Sequence, residues 1–416
     1  MKNICTLFLF FSSYISSAQF NVDCNSHRFD QEVFPTVVTS NNILYGSNID
    51  ANGTNTNLIM DIYEPAGDTM VARPLIIWAH GGSFITGTKS DGDVVSLSQH
   101  FAKRGYVCAS ISYRLGVPFP INQESAMKAV YRSVQDMKAA IRFFRKDAAG
   151  TNIYKIDPNT VFVGGSSAGA FAALHTAYLD KYSEFPILLD TIALGTLEGS
   201  SGNPGFSSAV NAVIDLCGAL GNKNYIEPGN VPFVAMHGTM DNTVPYATAI
   251  INFLNIYPIM VVDGSYSISD YANTIGVYNE MYTYFGAGHV PYLSDIAYMD
   301  TTVRFVSNFL YKYLGCNPVD PAPLPNTFSV GINSFSDNKD IVFSPNPGNG
   351  IFTINTNSFK YPVSRLLVYN INGQMVKEII PNDKNISLDL SKNIPGIYFY
   401  QIKTKGNTYS GKLVVE

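Results

Sequence analysis

Charge is scarce in this 416-residue chain. Asp, Glu, Lys and Arg make up 14% of it and the formal net charge is -5, where an ordinary globular domain carries about 25% charged residues. No basic cluster interrupts that balance, which excludes electrostatic capture of a nucleic acid or an anionic membrane surface. Long apolar runs are missing too: past the first residues nothing approaches the ~18 uninterrupted apolar residues of a spanning helix, so no transmembrane segment is expected. Trp78 is the only tryptophan, which weighs against a carbohydrate-binding module. No spacing among the 5 cysteines and 6 histidines resembles a zinc site, so neither metal nor cofactor is expected.

What is present is a globular composition, 46% hydrophobic, on a chain long enough to bury a large core and to exceed one ordinary domain. Lys2, the apolar run 4–15 and the small residues Ser16-Ser17-Ala18 read as a signal peptide over 1–18. Cys24 lacks a Leu-x-x-Cys context, so no N-terminal lipid is expected. Cys108 and Cys217 lie in strand-like runs and read as small buried hydrophobes. Cys24 and Cys316 bracket the region 19–316 in a chain bound for an oxidising compartment, and a disulfide between them is expected.

The pattern along 19–316 alternates. Strand-like runs fall at 57–65, 74–79, 106–111, 159–163, 212–216, 231–236 and 280–285, after a polar N-terminal stretch that reads as an edge hairpin. Met127, Val130, Val134, Met137, Ile141 and Phe144 recur at helical steps, with Lys128, Arg132, Gln135 and Lys138 on the other face. Helices are also expected at 96–104, after Ser167 and at 302–314, and a Gly/Ser-rich loop near the site at 195–208. Alternation of this kind implies a mostly parallel sheet flanked by helices, with ligands at the carboxyl ends of the strands.

Chemistry-bearing residues gather at those ends. Gly164-Gly165-Ser166-Ser167-Ala168-Gly169 sits between a strand and a helix, the setting of a nucleophile elbow. Ser167 has a glycine two residues away on each side, whereas Ser166 has Gly164 before it and Ala168 after it, so the register favours Ser167. A serine needs a base, and the base a carboxylate. His289 follows the last strand and Asp241 the penultimate one, with Asp215 and Asp263 as reserve acids; His80 and His237, each before a glycine, read as turn-shaping. Backbone donors for an oxyanion are expected from Gly82, Ser83 and Ala168. Phe84, Ser166, Val290, Pro291 and Tyr292, with part of 195–208, are expected to line the pocket.

His80-Gly81-Gly82-Ser83-Phe84, Gly165-Ser166-Ser167-Ala168-Gly169, His237-Gly238 with Asp241 and Val244-Pro245, and Gly288-His289 together resemble the α/β-hydrolase superfamily, in its carboxylesterase and hormone-sensitive-lipase-like branch. The resemblance covers about 57–314 and departs from the family's oxyanion motif at Ser83, which stands in place of its third glycine. It implies a Ser-His-Asp hydrolase of carboxylic esters working through an acyl-enzyme. A serine peptidase of the same fold and a non-catalytic surface adhesin are the alternatives.

Beyond the proline-rich linker 317–337, short strands and close turns over 338–416 read as a small β-sandwich. Pro345-Asn346-Pro347, Asn372-Gly373, Pro395-Gly396-Ile397-Tyr398 and the terminal Lys412-Leu413-Val414-Val415 resemble the C-terminal sorting domain of type IX secretion cargo. That resemblance implies export across an outer membrane by a dedicated secretion machinery, to the cell surface or beyond. A monomer acting on a small or polymer-borne ester is expected.

Overall fold

The computed structural model describes residues 22–184, 191–253, 257–318, 343–356, 361–370, 375–381, 383–405 and 408–416. The expected signal peptide, most of the linker and the Asn372-Gly373 turn lie outside the described residues. The chain divides into two units, 1–327 and 328–416.

The first unit is built on β1 (Val37–Ile49), β2 (Asn55–Pro65), β3 (Arg73–Ala79), β4 (Val107–Ile111), β5 (Ile156–Ser166), β6 (Ala212–Leu216), β7 (Ala219–Leu220), β8 (Phe233–Gly238), β9 (Thr248–Phe253), β10 (Tyr257–Gly264) and β11 (Asn279–Tyr284). Its helices are α1 (Gly92–Lys103), α2 (Gln123–Ala149), α3 (Ala168–Tyr178), α4 (Thr191–Leu194), α5 (Ser265–Ile275) and α6 (Ile296–Tyr313). Eight strands form one sheet in the order β1-β2-β4-β3-β5-β6-β8-β11. β1 and β2 make the edge hairpin, β2 runs antiparallel to β4, and every later pairing is parallel.

The continuous apolar run of β3 is buried along its whole length, as a central strand covered on both faces requires. Its side chains alternate between two cores. Leu75 and Ile77 join one with Met137 of α2 and Phe171 of α3; Ile76 and Trp78 join the other with Leu97 of α1 and Val306 of α6. Cys24 and Cys316 are disulfide-bonded with Cα atoms 5.5 Å apart, and Cys108 and Cys217 are free and buried.

Three departures from the sequence reading are instructive. The strand expected at 159–163 starts earlier, at Ile156, so that Asp157-Pro158 lies inside β5, where the ladder to β3 shifts register. α6 starts at Ile296, six positions before the expected Thr302, with Asp295 capping Ala297 N–H. β7, β9 and β10 form a separate antiparallel sheet in the order β7-β10-β9, and this sheet and α5 have no counterpart in the sequence reading. Among the described residues no helix is long and apolar enough to cross a membrane.

The second unit has β12 (Ile351–Asn355), β13 (Val363–Tyr369), β14 (Met375–Ile379), β15 (Asn385–Asp389), β16 (Gly396–Thr404) and β17 (Thr408–Val415). β12 pairs with β15, and the others form a four-stranded antiparallel sheet in the order β14-β13-β16-β17. Phe352 and Leu388 from one sheet and Leu366, Ile402 and Leu413 from the other share one buried core, so this unit is a β-sandwich.

Candidate active site

Ser167 sits where β5 turns into α3, at φ 55° and ψ -119°. A non-glycine residue there carries local strain that its surroundings must impose. The flanking glycines explain how the turn closes. A Cβ on Gly165 would lie 2.2 Å from the Gly169 carbonyl carbon, and one on Gly169 would lie 2.0 Å from Ala79 O. Only bare backbone fits this corner.

The structure separates the two serines. Ser166 is buried, and its hydroxyl shares a 2.7 Å hydrogen bond with Tyr292 OH. Ser167 Oγ instead lies 2.8 Å from His289 Nε2, and His289 Nδ1 lies 2.6 Å from Asp241 Oδ2. The other carboxylate oxygen of Asp241 accepts the N–H groups of Thr243 at 2.8 Å and Val244 at 2.9 Å. The loops carrying Asp241 and His289 approach through Gly238, where a Cβ would lie 2.4 Å from Ala287 O. Burial raises the Asp241 carboxyl, but the hydrogen bonds from His237 and His289 outweigh it and hold the group well below its ordinary value.

Gly82, Ser83 and Phe84 follow one another at φ 100°, 54° and 59°. This left-handed run is stabilised by Ile85 N–H and Thr86 N–H, both donating to Gly82 O at 3.0 Å. Successive residues in such conformations form a concave nest of N–H groups suited to an anion. Ala168 opens α3 and adds a donor at a helix N-terminus.

A cavity of about 360 Å³ opens at Ser167, Ala168 and Ser83, walled by Phe84, Met127, Phe171, Ile251 and Met260 among others. Among the described residues no Asp, Glu, Lys or Arg lines it. Of the residues expected in the pocket, Phe84 is there and the rest are not. Ser166, Val290, Pro291 and Tyr292 are absent from the wall, because Tyr292 and Val290 belong to the core on the opposite face of the sheet. The loop 195–208 is absent as well, because it covers α2: Gln135 donates to Leu194 O and Thr196 O, Arg142 donates to Gly202 O, and Lys138 pairs with Glu198. Gln135 and Lys138, on the polar face of the helical pattern, are buried beneath it, and Arg132 on the same face is buried with its guanidinium donating to Gly116 O. The β9–β10 hairpin supplies the missing wall through Ile251, Asn252, Ile259, Met260 and Val262.

His175 also faces the cavity. Its Nδ1 lies 2.8 Å from Phe171 O and its Nε2 accepts Gly221 N–H at 3.2 Å, and burial pushes its imidazole down to about 4. The folded protein therefore holds it neutral, whereas an unfolded chain protonates it below about 6.5. Its stabilising contribution is full above pH ~6.5 and is lost as pH falls toward 4, to the extent of about 3 kcal/mol. Urea unfolding at pH 7 and pH 4.5 checks this: wild type loses about 3 kcal/mol more than His175→Gln on acidification. Equal losses in the two proteins contradict it.

Among the described residues, Cys217, Asp241 and His289 bring potential metal-ligand atoms within 4.8 Å of one another. The imidazole and carboxylate are already bonded to each other, and burial pushes the Cys217 thiol up, so it keeps its proton. The reserve acids serve elsewhere. Asp215 binds Ser265 and Gly218, and Asp263 binds Lys223 N–H and Thr248.

A mostly parallel sheet that delivers a serine, an imidazole and a carboxylate to one edge, with the serine on a strand–turn–helix corner, has the architecture of the α/β-hydrolase fold. Residues 60–223 match the BD-FAE family model, and residues 342–416 match the secretion system C-terminal sorting domain. The second match marks the protein for export, to the cell surface or beyond. Mouse (Mus musculus) carboxylesterase 3B is 32% identical over 116 residues, 27% of this chain and 19% of that protein. The quorum-quenching protein AidA of Acinetobacter baumannii is 32% identical over 120 residues, 29% of this chain and 35% of that protein. The chain thus spans about a fifth to a third of the length of these curated relatives. Thermogutta terrifontis esterase 2, solved after phosphorylation by paraoxon, is 23% identical with a TM-score of 0.47, covering 67% of this chain and 95% of its own.

Proposed function

We propose that this chain is an exported serine hydrolase that cleaves carboxylic esters bearing an uncharged, apolar group. The observation that carries the reading is Ser167 Oγ, 2.8 Å from His289 Nε2 at the mouth of a cavity with no charged side chain among the described residues that line it. Asp241 holds the imidazole with Nδ1–H toward the carboxylate, which leaves the Nε2 lone pair facing the hydroxyl. His289 takes the Ser167 proton as Oγ attacks the ester carbon. The N–H groups of Gly82, Ser83 and Ala168 receive the resulting oxyanion, each worth about 3 kcal/mol of barrier. His289 then gives its proton to the leaving alkoxide. A water, deprotonated by the same imidazole, releases the acid from the Ser167 ester.

The cavity sets the substrate class. A charged group would enter without a counter-ion and lose its hydration, whereas each methylene that enters gains about 0.8 kcal/mol. Two measurements test the proposal. A fluorophosphonate probe adds one adduct, on the peptide containing Ser167, and abolishes turnover of p-nitrophenyl acetate. Across a p-nitrophenyl ester series, kcat/KM rises with acyl length, and Ile251→Trp, which fills the cavity, removes that rise while sparing the acetate. Absence of both adduct and turnover rejects the hydrolase, and an unaltered chain-length preference in Ile251→Trp rejects this cavity as the subsite.

A further inference from the structure

The hydrogen-bonded line from Ser167 through His289 continues past Asp241. His237, fully buried on β8, places Nε2 3.2 Å from Asp241 Oδ2. Its Nδ1 lies 2.8 Å from the hydroxyl of Ser265, which opens α5, and that hydroxyl lies 2.6 Å from Asp215 Oδ2 near the end of β6. Asp215 Oδ1 accepts Gly218 N–H at 2.8 Å. His237, Ser265 and Asp215 are all closed to solvent.

The protons in this array can be counted from its contacts. His237 Nε2 faces two acceptors, Asp241 Oδ2 and, at 3.1 Å, Val244 O, so it carries a hydrogen. The gaps from Nδ1 to Ser265 Oγ and from Oγ to Asp215 Oδ2 each need one as well, since lone pairs so close would otherwise repel. That makes three hydrogens, where an ionised carboxylate, a hydroxyl and a neutral imidazole supply two. The additional proton rests on Asp215, whose carboxyl burial pushes up, or on His237. The Ser265 hydroxyl converts one form to the other by donating one hydrogen and accepting another. Both forms are neutral overall, and both keep an N–H aimed at Asp241.

We propose that His237 is a positioning residue for the reaction, clamped by Ser265 and Asp215 so that its N–H fixes Asp241 and moderates the charge that Asp241 presents to His289. Asp241 then receives two backbone N–H groups on one oxygen and two imidazoles on the other. Losing the N–H of His237 frees the carboxylate to rotate. It also concentrates negative charge on His289, which favours the imidazolium and moves the acid limb of the pH–rate profile upward. The other titratable groups facing the array, among the described residues, are Cys217 beside Asp241 and His289, Tyr246 edge-on to His237 at 5.8 Å, and Tyr178 toward Asp215. Burial pushes all three up, so each is uncharged at neutral pH and the limb reports on His237.

This inference rests on the ester-hydrolase reading, and its test separates the two. The pH profiles of kcat and KM for p-nitrophenyl acetate are measured on the full chain as wild type, His237→Leu, His237→Gln and Ser265→Ala, with folding checked by circular dichroism. His237→Leu lowers kcat by about 10- to 100-fold at nearly unchanged KM and raises the acid limb by about half a pH unit. His237→Gln, which keeps a neutral N–H donor near the Nε2 position, recovers most of both. Ser265→Ala, a small excision that leaves the helix intact, moves both readouts the same way by a smaller amount, and it decides the matter if His237→Leu does not fold. Unchanged kcat in the folded variants overturns the proposal, as does a fall in kcat with a fixed acid limb and no recovery by Gln. A wild type that does not turn the ester over sinks the hydrolase reading itself, whereas an active wild type with indifferent variants sinks only this step.

Discussion

Ser167→Ala lowers kcat for p-nitrophenyl acetate by about 10⁶, to the level that oxyanion donors and binding alone sustain. The loss is large because the ester must then be attacked directly by water, which His289 can deprotonate but which lacks the fixed position of Ser167 Oγ on the elbow. Ser166→Ala provides the contrast. It removes the 2.7 Å bond to Tyr292 OH inside the core, which costs about 1 kcal/mol of stability because that buried hydroxyl keeps only its longer 3.4 Å bond to Leu216 O. It leaves Oγ of Ser167 and its partner in place, so kcat stays within a few-fold. A purified Ser167→Ala protein with more than about a thousandth of wild-type kcat refutes the assignment. A collapse of kcat in folded Ser166→Ala moves the nucleophile by one residue. Ser167→Ala keeps the corner's geometry, because the strained φ of 55° belongs to the turn and the glycines that flank it.

Much of this was legible in the chain because the signals are local. A buried parallel strand writes itself as a continuous apolar run, and the run at 74–79 is β3 almost to the residue. The elbow is legible because two glycines are forced by contacts within a few residues of the serine and by the neighbouring strand. The cavity wall was not legible. β9 and β10 are half-exposed strands whose inward residues matter only because the hairpin folds over Ser167, and no spacing within 248–264 records that. The residues after His289 misled for a related reason: closeness in sequence to the base placed them on the wrong face of the sheet, where Tyr292 packs with the second core. Gly/Ser richness marked 195–208 as a loop without marking its destination. The signal for that lay on α2, whose Gln135, Lys138 and Arg142 were waiting for carbonyl and carboxylate partners. His237 did carry a signal, standing four residues before the acid at the end of a strand that is buried throughout. A polar ring there must find partners.

Asp241→Asn lowers kcat by about 10⁴, and the hydrogen bonds around the carboxylate say why an isosteric change costs so much. Thr243 N–H and Val244 N–H both donate to one oxygen of Asp241, so the amide carbonyl of the asparagine takes that position. Its NH₂ is then turned toward His289 Nδ1, at the place where the carboxylate oxygen sits 2.6 Å away. A donor there selects the tautomer with the proton on Nε2, which faces Ser167 Oγ with a hydrogen instead of a lone pair and cannot accept from it. The same NH₂ meets the Nε2–H of His237, so two donors oppose each other in a buried space. The variant also has a signature in stability. Asp241 is held below its ordinary value by its two imidazole partners against the opposing effect of burial, so its contribution is fully present above pH ~4 and is lost as pH falls through the lower folded value. Wild type is therefore more stable than Asp241→Asn at pH 7 and at pH 5, and the gap narrows below pH ~4, as urea midpoints at the three pH values report. A kcat within about tenfold of wild type would transfer the acid's role to another carboxylate. Asp215 is the nearest along the array, and an Asp215→Asn protein would then show the larger loss.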